Sequence, residues 1–219
     1  MHAPLRYGIL GGTFDPPHIG HLALAQEAYA RLGLDRVWFI PTGTPPHKAG
    51  RPISSGADRR AMVELAIAGD ERFALSTIEL KRPGPSYTVE TLHTLRAQWC
   101  GADNAGGNND GEVWIGFLVG WDMLASLPEW HDPSGVLAAL DGLIAAHRPG
   151  FTADDAELDR LEAQLPGLRK RLTLLPAPQL DLAATSLRER VAAGLPIRYL
   201  APDAVCAYIE EHRLYRGEG

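Results

Sequence analysis

Apolar runs of strand length alternate with stretches of helical periodicity along most of the chain. Residues 6–10 form a short apolar run broken by Gly11-Gly12, and residues 19–32 carry apolar side chains at helical spacing up to a Gly33 stop. The pattern predicts strand, glycine turn, helix. A β-rich run at 37–40 ends at Pro41, and the Pro-, Gly- and Thr-rich stretch 41–52 predicts a loop. Ser55 is placed to cap a helix over about 56–68, residues 73–80 predict a strand, and 88–99 predict a third helix after the turn Arg82-Pro83-Gly84-Pro85. The nearly unbroken apolar run 113–119 predicts a central parallel strand covered on both faces, with 142–146 as its neighbour after a helix over 133–140. Further on, 153–165 and 185–193 predict helices, 171–175 a late strand and 202–213 a final helix.

Repeated strand-helix units with short loops imply right-handed crossovers. The expected fold class is α/β, a Rossmann-like doubly wound parallel sheet with helices on both faces. At 219 residues the chain suits a single domain, 1–219, with a flexible connection at about 100–112, where Gly and Asn crowd together, and a C-terminal helical part at about 185–215. Gly11, Pro41, Gly120 and His147 each follow a predicted strand. Ligands of such sheets bind at the carboxyl ends of the strands, so motifs at these four places are expected to meet in one crevice.

Composition narrows the partners. Hydrophobic residues at 45% and charged residues at 22% are ordinary for a globular chain, and a net charge of -6 lacks the basic excess needed to track a nucleic-acid backbone. A small anion held by a few local cations fits better. Cys100 and Cys206 form neither a CxxC pair nor a cluster with histidines, so no zinc site or disulfide framework is expected and a reducing cytoplasm is the expected location. No stretch approaches the ~18 consecutive apolar residues of a membrane helix, and no membrane partner is expected.

The first turn carries the candidate chemistry. Gly11-Gly12 lets backbone approach a ligand, and the helix that follows points its amides and dipole toward an anion. His18 and His21, three residues apart, fall on one face of its first turns, where two imidazoles can donate hydrogen bonds to a polyphosphate. No third ligand stands nearby to complete a metal site, so none is expected. The whole string, Gly11-Gly12-Thr13-Phe14-Asp15-Pro16-Pro17-His18-Ile19-Gly20-His21, resembles the GxFxPxHxGH signature of the adenylyl- and cytidylyltransferase superfamily, filled by Gly12, Phe14, Pro16, His18, Gly20 and His21. The resemblance implies that both histidines stabilise charge on nucleotide phosphates, and that Gly11, Gly12, Thr13 and Phe14 belong to the ATP site.

Further segments resemble one branch, the bacterial-type nicotinate mononucleotide adenylyltransferases, from Leu5 to about Tyr215. Pro45-Pro46-His47-Lys48 is similar to that family's PPHK loop, which implies that Lys48 neutralises a substrate phosphate. Gly84 to Leu92 resembles its G-x-SYT-x-(D/E)-TL segment, which implies that Tyr87 and Thr88 bind the acceptor at a helix start with free amides. Gly120-Trp121-Asp122 and Leu127-Pro128-Glu129-Trp130 resemble its GxD…LPxW, implying that Asp122 accepts hydrogen bonds from a ribose and Trp130 stacks on a pyridine ring. The superfamily's ISSTxxR motif corresponds to Leu182-Ala183-Ala184-Thr185-Ser186-Leu187-Arg188, with both of its serines replaced by alanine. Thr185 stands where a cap hydroxyl is required, Ser186 offers a second hydroxyl, and Arg188 stands where a phosphate-facing guanidinium is required. The similar string Ile53-Ser54-Ser55 with Arg59 has Gly56 in place of threonine and is read as a helix cap.

The resemblance implies adenylyl transfer from ATP to nicotinate mononucleotide, with Mg2+ carried on the ATP phosphates. An ionised acceptor phosphate needs no strong base, so His18, His21 and Arg188 are the expected catalytic residues. Other expectations of the sequence are a phosphopantetheine adenylyltransferase, a cytidylyltransferase, or a non-catalytic nucleotide sensor that keeps the fold. Homo-oligomerisation is left open.

Overall fold

Six strands form one parallel sheet in the order β3-β2-β1-β4-β5-β6. They are β1 (Leu5–Gly12), β2 (Arg36–Pro41), β3 (Phe73–Leu75), β4 (Val113–Gly120), β5 (Gly142–His147) and β6 (Leu172–Pro176). The helices between and after them are α1 (Ile19–Leu32), α2 (Gly56–Ala66), α3 (Thr88–Cys100), α4 (Trp121–Ala125), α5 (Pro133–Ala139), α6 (Asp155–Gln164), α7 (Leu168–Arg171), α8 (Ala184–Ala192) and α9 (Asp203–Glu211), with a short 3-10 turn at Leu127–Glu129. The computed structural model describes residues 3–44, 53–100, 113–147, 154–178 and 182–216; the expected flexible connection therefore lies, from residue 101 on, outside the described residues.

Side chains alternate across a strand, and the central strands are apolar at both parities, so each feeds two cores. Ile9 of β1, Ile115, Phe117 and Val119 of β4 and Leu143 and Ala145 of β5 pack with Leu92 and Leu95 of α3, Leu124 of α4, Val136 of α5 and Leu161 of α6. The intervening Leu10, Leu118 and Ile144 pack on the opposite face with Ala25 and Ala28 of α1 and Val63 of α2. The chain thus winds outward from β1 with α1 and α2 on one face, returns through α3, and winds the other way from β4 with α4 to α7 on the second face. Its switch point lies between β1 and β4, where Gly12 and Gly120 end neighbouring strands. A third cluster, Met62 with Leu187, Ile197, Val205 and Ile209, seats α8 and α9 on α2.

The expected strand at 73–80 is shorter. Only Phe73–Leu75 pairs with β2, after which the Lys81 amide donates to the Thr77 carbonyl at 3.1 Å and the Arg82 amide to the Glu79 carbonyl at 3.2 Å. The turn carries Glu79 inward, where its carboxyl accepts from the Thr91 hydroxyl at 2.8 Å, an arrangement that straight strand geometry would not permit. The sequence also missed α4 and α7, which at five and four residues are too short to show a helical period. The helix read at 185–193 begins one residue earlier, at Ala184.

Candidate active site

The carboxyl edge of the sheet is occupied by the turn after β1. Phe14 takes a φ of 50°, a left-handed conformation that an aromatic residue rarely adopts. Burial holds it there: its ring is 1% exposed and sits edge-on to His21, with centroids 4.9 Å apart, and against Phe39 at 5.7 Å. The Phe14 side chain, expected in the ATP site, therefore packs beneath the histidine. His18 is the N-cap residue of α1, and His21 is in its first turn, with the two rings stacked at 3.7 Å. The His18 amide donates to His21 Nδ1 at 3.1 Å. That bond assigns the neutral tautomer: with Nδ1 accepting, the proton of His21 is on Nε2, at the ring's far edge. A Cβ on Gly20 would come within 3.0 Å of His18 Nδ1, so glycine keeps the stacked ring in place.

Burial depresses both imidazoles, His18 to about 4 and His21 to about 3, with the His18 charge adding to the shift of His21. At neutral pH they are uncharged donors. An arriving triphosphate favours the protonated forms and pulls both pKa values upward, so the pair can gain charge where phosphate charge appears. One expected donor is engaged elsewhere: the Ile19 amide, first in α1, donates to the Leu200 carbonyl at 3.0 Å.

Arg188 comes to this loop from the far end of the chain. Its Nη1 donates to the Asp15 carbonyl at 2.8 Å and its Nη2 to the Thr185 hydroxyl at 3.1 Å. The N-cap of α8 is Ala183, without a side-chain cap, so Thr185 is not the capping residue expected from the motif. Thr185 and Ser186 are exposed in the first turn of a helix whose leading amides have no side-chain partner at the cap. The lost serines leave that end uncapped, while arginine and threonine remain paired.

Beneath the loop lies a brace that sequence reasoning did not assign. Asp15 is 2% exposed and Arg59 3%. Arg59 donates through Nη1 to the Thr13 and Thr42 carbonyls at 3.0 and 2.6 Å, through Nη2 to Gly43 at 3.2 Å, and through Nε to Ser54 at 3.1 Å. Burial pulls its pKa below the ordinary value, and the Asp15 charge opposes the shift. Ser55 does cap α2, accepting from the Asp58 amide at 3.1 Å, as read from the sequence, but the inward course of Arg59 one turn on carried no sequence signal. The Tyr215 hydroxyl donates to Asp15 Oδ1 at 2.6 Å, and burial with this bond raises the phenol pKa well above its ordinary value.

The opposite wall is built by the starts of α3 and α4 and the residues after them. Thr88 opens α3, as expected, and the Ser86 amide donates to the Thr44 carbonyl at 3.0 Å, joining this segment to the exit of β2. Tyr87 lies against the exposed His131 with centroids 4.1 Å apart, a partner the sequence did not suggest. Trp130 is half-buried, edge-on to Phe117 at 6.1 Å, with Nε1 donating to Ser126 Oγ at 3.3 Å. Asp122 is exposed in the first turn of α4, and Gly120 before it has open space where a Cβ would stand. Behind them, burial raises the Glu79 pKa while Thr91 and Arg82 oppose the shift. Lys48, like the rest of Pro45-Pro46-His47-Lys48, lies outside the described residues.

Among the described residues no group of three His, Cys, Asp or Glu side chains is placed to hold a metal ion, and no helix is long and apolar enough to cross a membrane. The end of β1 at the switch point of a doubly wound sheet, where Gly11 and Gly12 are still strand and the turn after them leads to neutral histidines and an anchored arginine, suits the phosphates of a nucleotide. This is the class of Rossmann-type nucleotidylyltransferases. The chain matches the Cytidylyltransferase-like family model over residues 9–189. It is 44% identical over 211 residues to a chain of Dehalococcoides mccartyi, covering 96% of this chain and 97% of that one, and 46% identical over 216 residues to a chain of Herpetosiphon aurantiacus, covering 96% and 98%. Both are named "Probable nicotinate-nucleotide adenylyltransferase". The chain belongs to the Cytidylyltransferase-like family and, within it, to the nicotinate-nucleotide adenylyltransferases. The Plasmodium falciparum nicotinic acid mononucleotide adenylyltransferase complexed with NaAD superposes with a TM-score of 0.73 over 96% of this chain and 97% of that one, and at 16% identity the likeness is one of fold.

Proposed function

We propose that this chain transfers the adenylyl group of ATP to nicotinate mononucleotide, forming nicotinate adenine dinucleotide and pyrophosphate. A phosphate oxygen of the acceptor attacks the α-phosphorus of ATP, and the bond to the bridging oxygen breaks to release pyrophosphate. The attacking group is already ionised, so catalysis reduces to alignment and charge stabilisation. The observation that carries this reading is that Arg188 reaches, from 173 residues further on, the carbonyl of Asp15 in the turn that leads into the stacked His18 and His21 at the start of α1. In this reading His21 Nε2, His18, Arg188 and the leading amides of α8 hold the triphosphate. Asp122 receives a ribose, and Tyr87, Thr88 and Trp130 receive the pyridine ring and its carboxylate.

The stacked histidines do not suit a metal, because His21 Nδ1 already accepts the His18 amide. Mg2+ would therefore arrive on the triphosphate with mostly water ligands and offset its charge. The two free cysteines, Cys100 and Cys206, favour a reducing cytoplasm as its location.

The test is pyrophosphate release from ATP with nicotinate mononucleotide, nicotinamide mononucleotide and phosphopantetheine side by side. The expected result is fastest release with the first. Release only with phosphopantetheine, or with none, overturns the reading.

A further inference from the structure

Asp15 does two things at once. Its carboxyl oxygens are both engaged, Oδ1 by the Tyr215 hydroxyl at 2.6 Å and Oδ2 by the Ser54 amide at 3.2 Å, while its main-chain carbonyl accepts Arg188 Nη1 at 2.8 Å. Being 2% exposed, it offers nothing to a ligand directly. Tyr215 lies 200 residues further on, past α9, with its hydroxyl also 3.8 Å from Met62 Sδ at the centre of the third core cluster. The carbonyl that receives Arg188 thus belongs to a residue clamped from its other side by the tail of the chain.

An arginine side chain has many rotamers, and a guanidinium must meet phosphate oxygens in a narrow geometry, so a fixed acceptor that orients it before the ligand arrives strengthens the interaction. Among the described residues Arg188 has two such acceptors. Thr185 lies on its own helix and moves with it. The Asp15 carbonyl refers the guanidinium to the turn that leads into His18 and His21 at the start of α1. Elsewhere, the Ile19 amide donates to the Leu200 carbonyl at 3.0 Å and Tyr208 Oη to Asp58 Oδ1 at 3.0 Å. Loss of the Tyr215 hydroxyl would leave those ties and the packing of α8 and α9 in place, so the block stays attached while its reference point loosens.

We propose that Tyr215 is a positioning residue for adenylyl transfer: through the Asp15 carboxylate its hydroxyl fixes the main-chain carbonyl that aims Arg188 at the phosphates of ATP. The inference rests on the phosphate-binding role proposed above for Arg188.

The experiment is a double-mutant cycle of Tyr215→Phe and Arg188→Ala, followed by steady-state pyrophosphate release, with melting curves for every variant. Tyr215→Phe is expected to lower kcat/KM for ATP about tenfold while the KM for nicotinate mononucleotide stays within about twofold. In the Arg188→Ala background the same change is expected to cost less than about twofold more, because the group it positions is gone. A tether that only stabilises the fold would lower the melting temperature, leave the constants for ATP and acceptor unsplit, and multiply with Arg188→Ala. That pattern, or an unchanged kcat/KM for ATP in a folded Tyr215→Phe, overturns the proposal. If Arg188→Ala itself leaves kcat/KM for ATP unaltered, the phosphate role of Arg188 fails and the proposal with it. If Arg188→Ala is impaired and Tyr215→Phe is not, only the positioning role fails.

Discussion

Asp15 and Arg59, on the side proposed for the nucleotide, are 2% and 3% exposed and bind the loop after β1 to the exit of β2, the start of α2 and the tail, whereas Tyr87 and His131, on the side proposed for the acceptor, meet as a half-buried ring and an exposed one. The first arrangement is held by charge-assisted hydrogen bonds in a dry interior, where misplacement leaves polar groups unpaired. The second is held by ring contacts that tolerate sliding. The difference follows the chemistry proposed for each side. Stabilising charge at a phosphorus requires donors fixed before the ligand arrives, while a planar ring can be received by surfaces that settle around it.

The largest effect should come from the nucleotide side. His21→Ala removes the Nε2 donor and is expected to lower kcat by two to three orders of magnitude, by analogy with loss of one oriented charge-stabilising donor. Losing the His18 amide contact should lower stability by only about 1 kcal/mol. Near-normal turnover in a folded variant would remove His21 from the mechanism and level the contrast between the two sides.

Next comes acid. His18 and His21 are held neutral in the folded chain, while in the unfolded chain they take up a proton near the ordinary value of about 6.5. Below that pH the unfolded state binds more protons, so their contribution to stability, full above 6.5, declines as pH falls toward about 4 for His18 and about 3 for His21. The loss by pH 4 is expected to be on the order of 3 kcal/mol for each histidine, visible as a falling denaturant midpoint, and smaller with ATP present. Glu79, behind the acceptor wall, has the opposite sign: its raised pKa means that its burial penalty is relieved as pH falls through that value. Constant stability from pH 7 to 4.5 would mean that the histidines are not buried as described.

The smallest effect belongs to the acceptor side. Tyr87→Ala should raise the KM for nicotinate mononucleotide about three- to tenfold, the scale of one aromatic contact, and leave the KM for ATP unchanged. An equal change in both constants would show that the two walls are not independent.

Much of the architecture was legible in the chain, and for a definite reason. The apolar parity of β1, β4 and β5 can be satisfied only by burying both faces, although Gly11 and Gly12, read as a turn, are the last two residues of β1. The turn at Glu79 was illegible because apolar alternation at 73–80 reads as strand, and partners outside that segment, the Thr91 hydroxyl and the Gly43 amide among them, draw the carboxyl in. Arg59 looked like part of a cap because its acceptors are main-chain carbonyls, which every residue has and which leave no mark on side-chain patterning.

The sequence by itself determined the class of sheet, the histidine pair and the segments that mark the family, since these depend on local periodicity and on side chains close together in the chain. Only the tertiary structure decided how the pair is surrounded: the Phe14 ring packed beneath it, Arg188 on the Asp15 carbonyl, and Asp15 in turn held by Tyr215. Those bonds run through buried backbone groups and across as many as 200 residues, where geometry after folding alone specifies the partner.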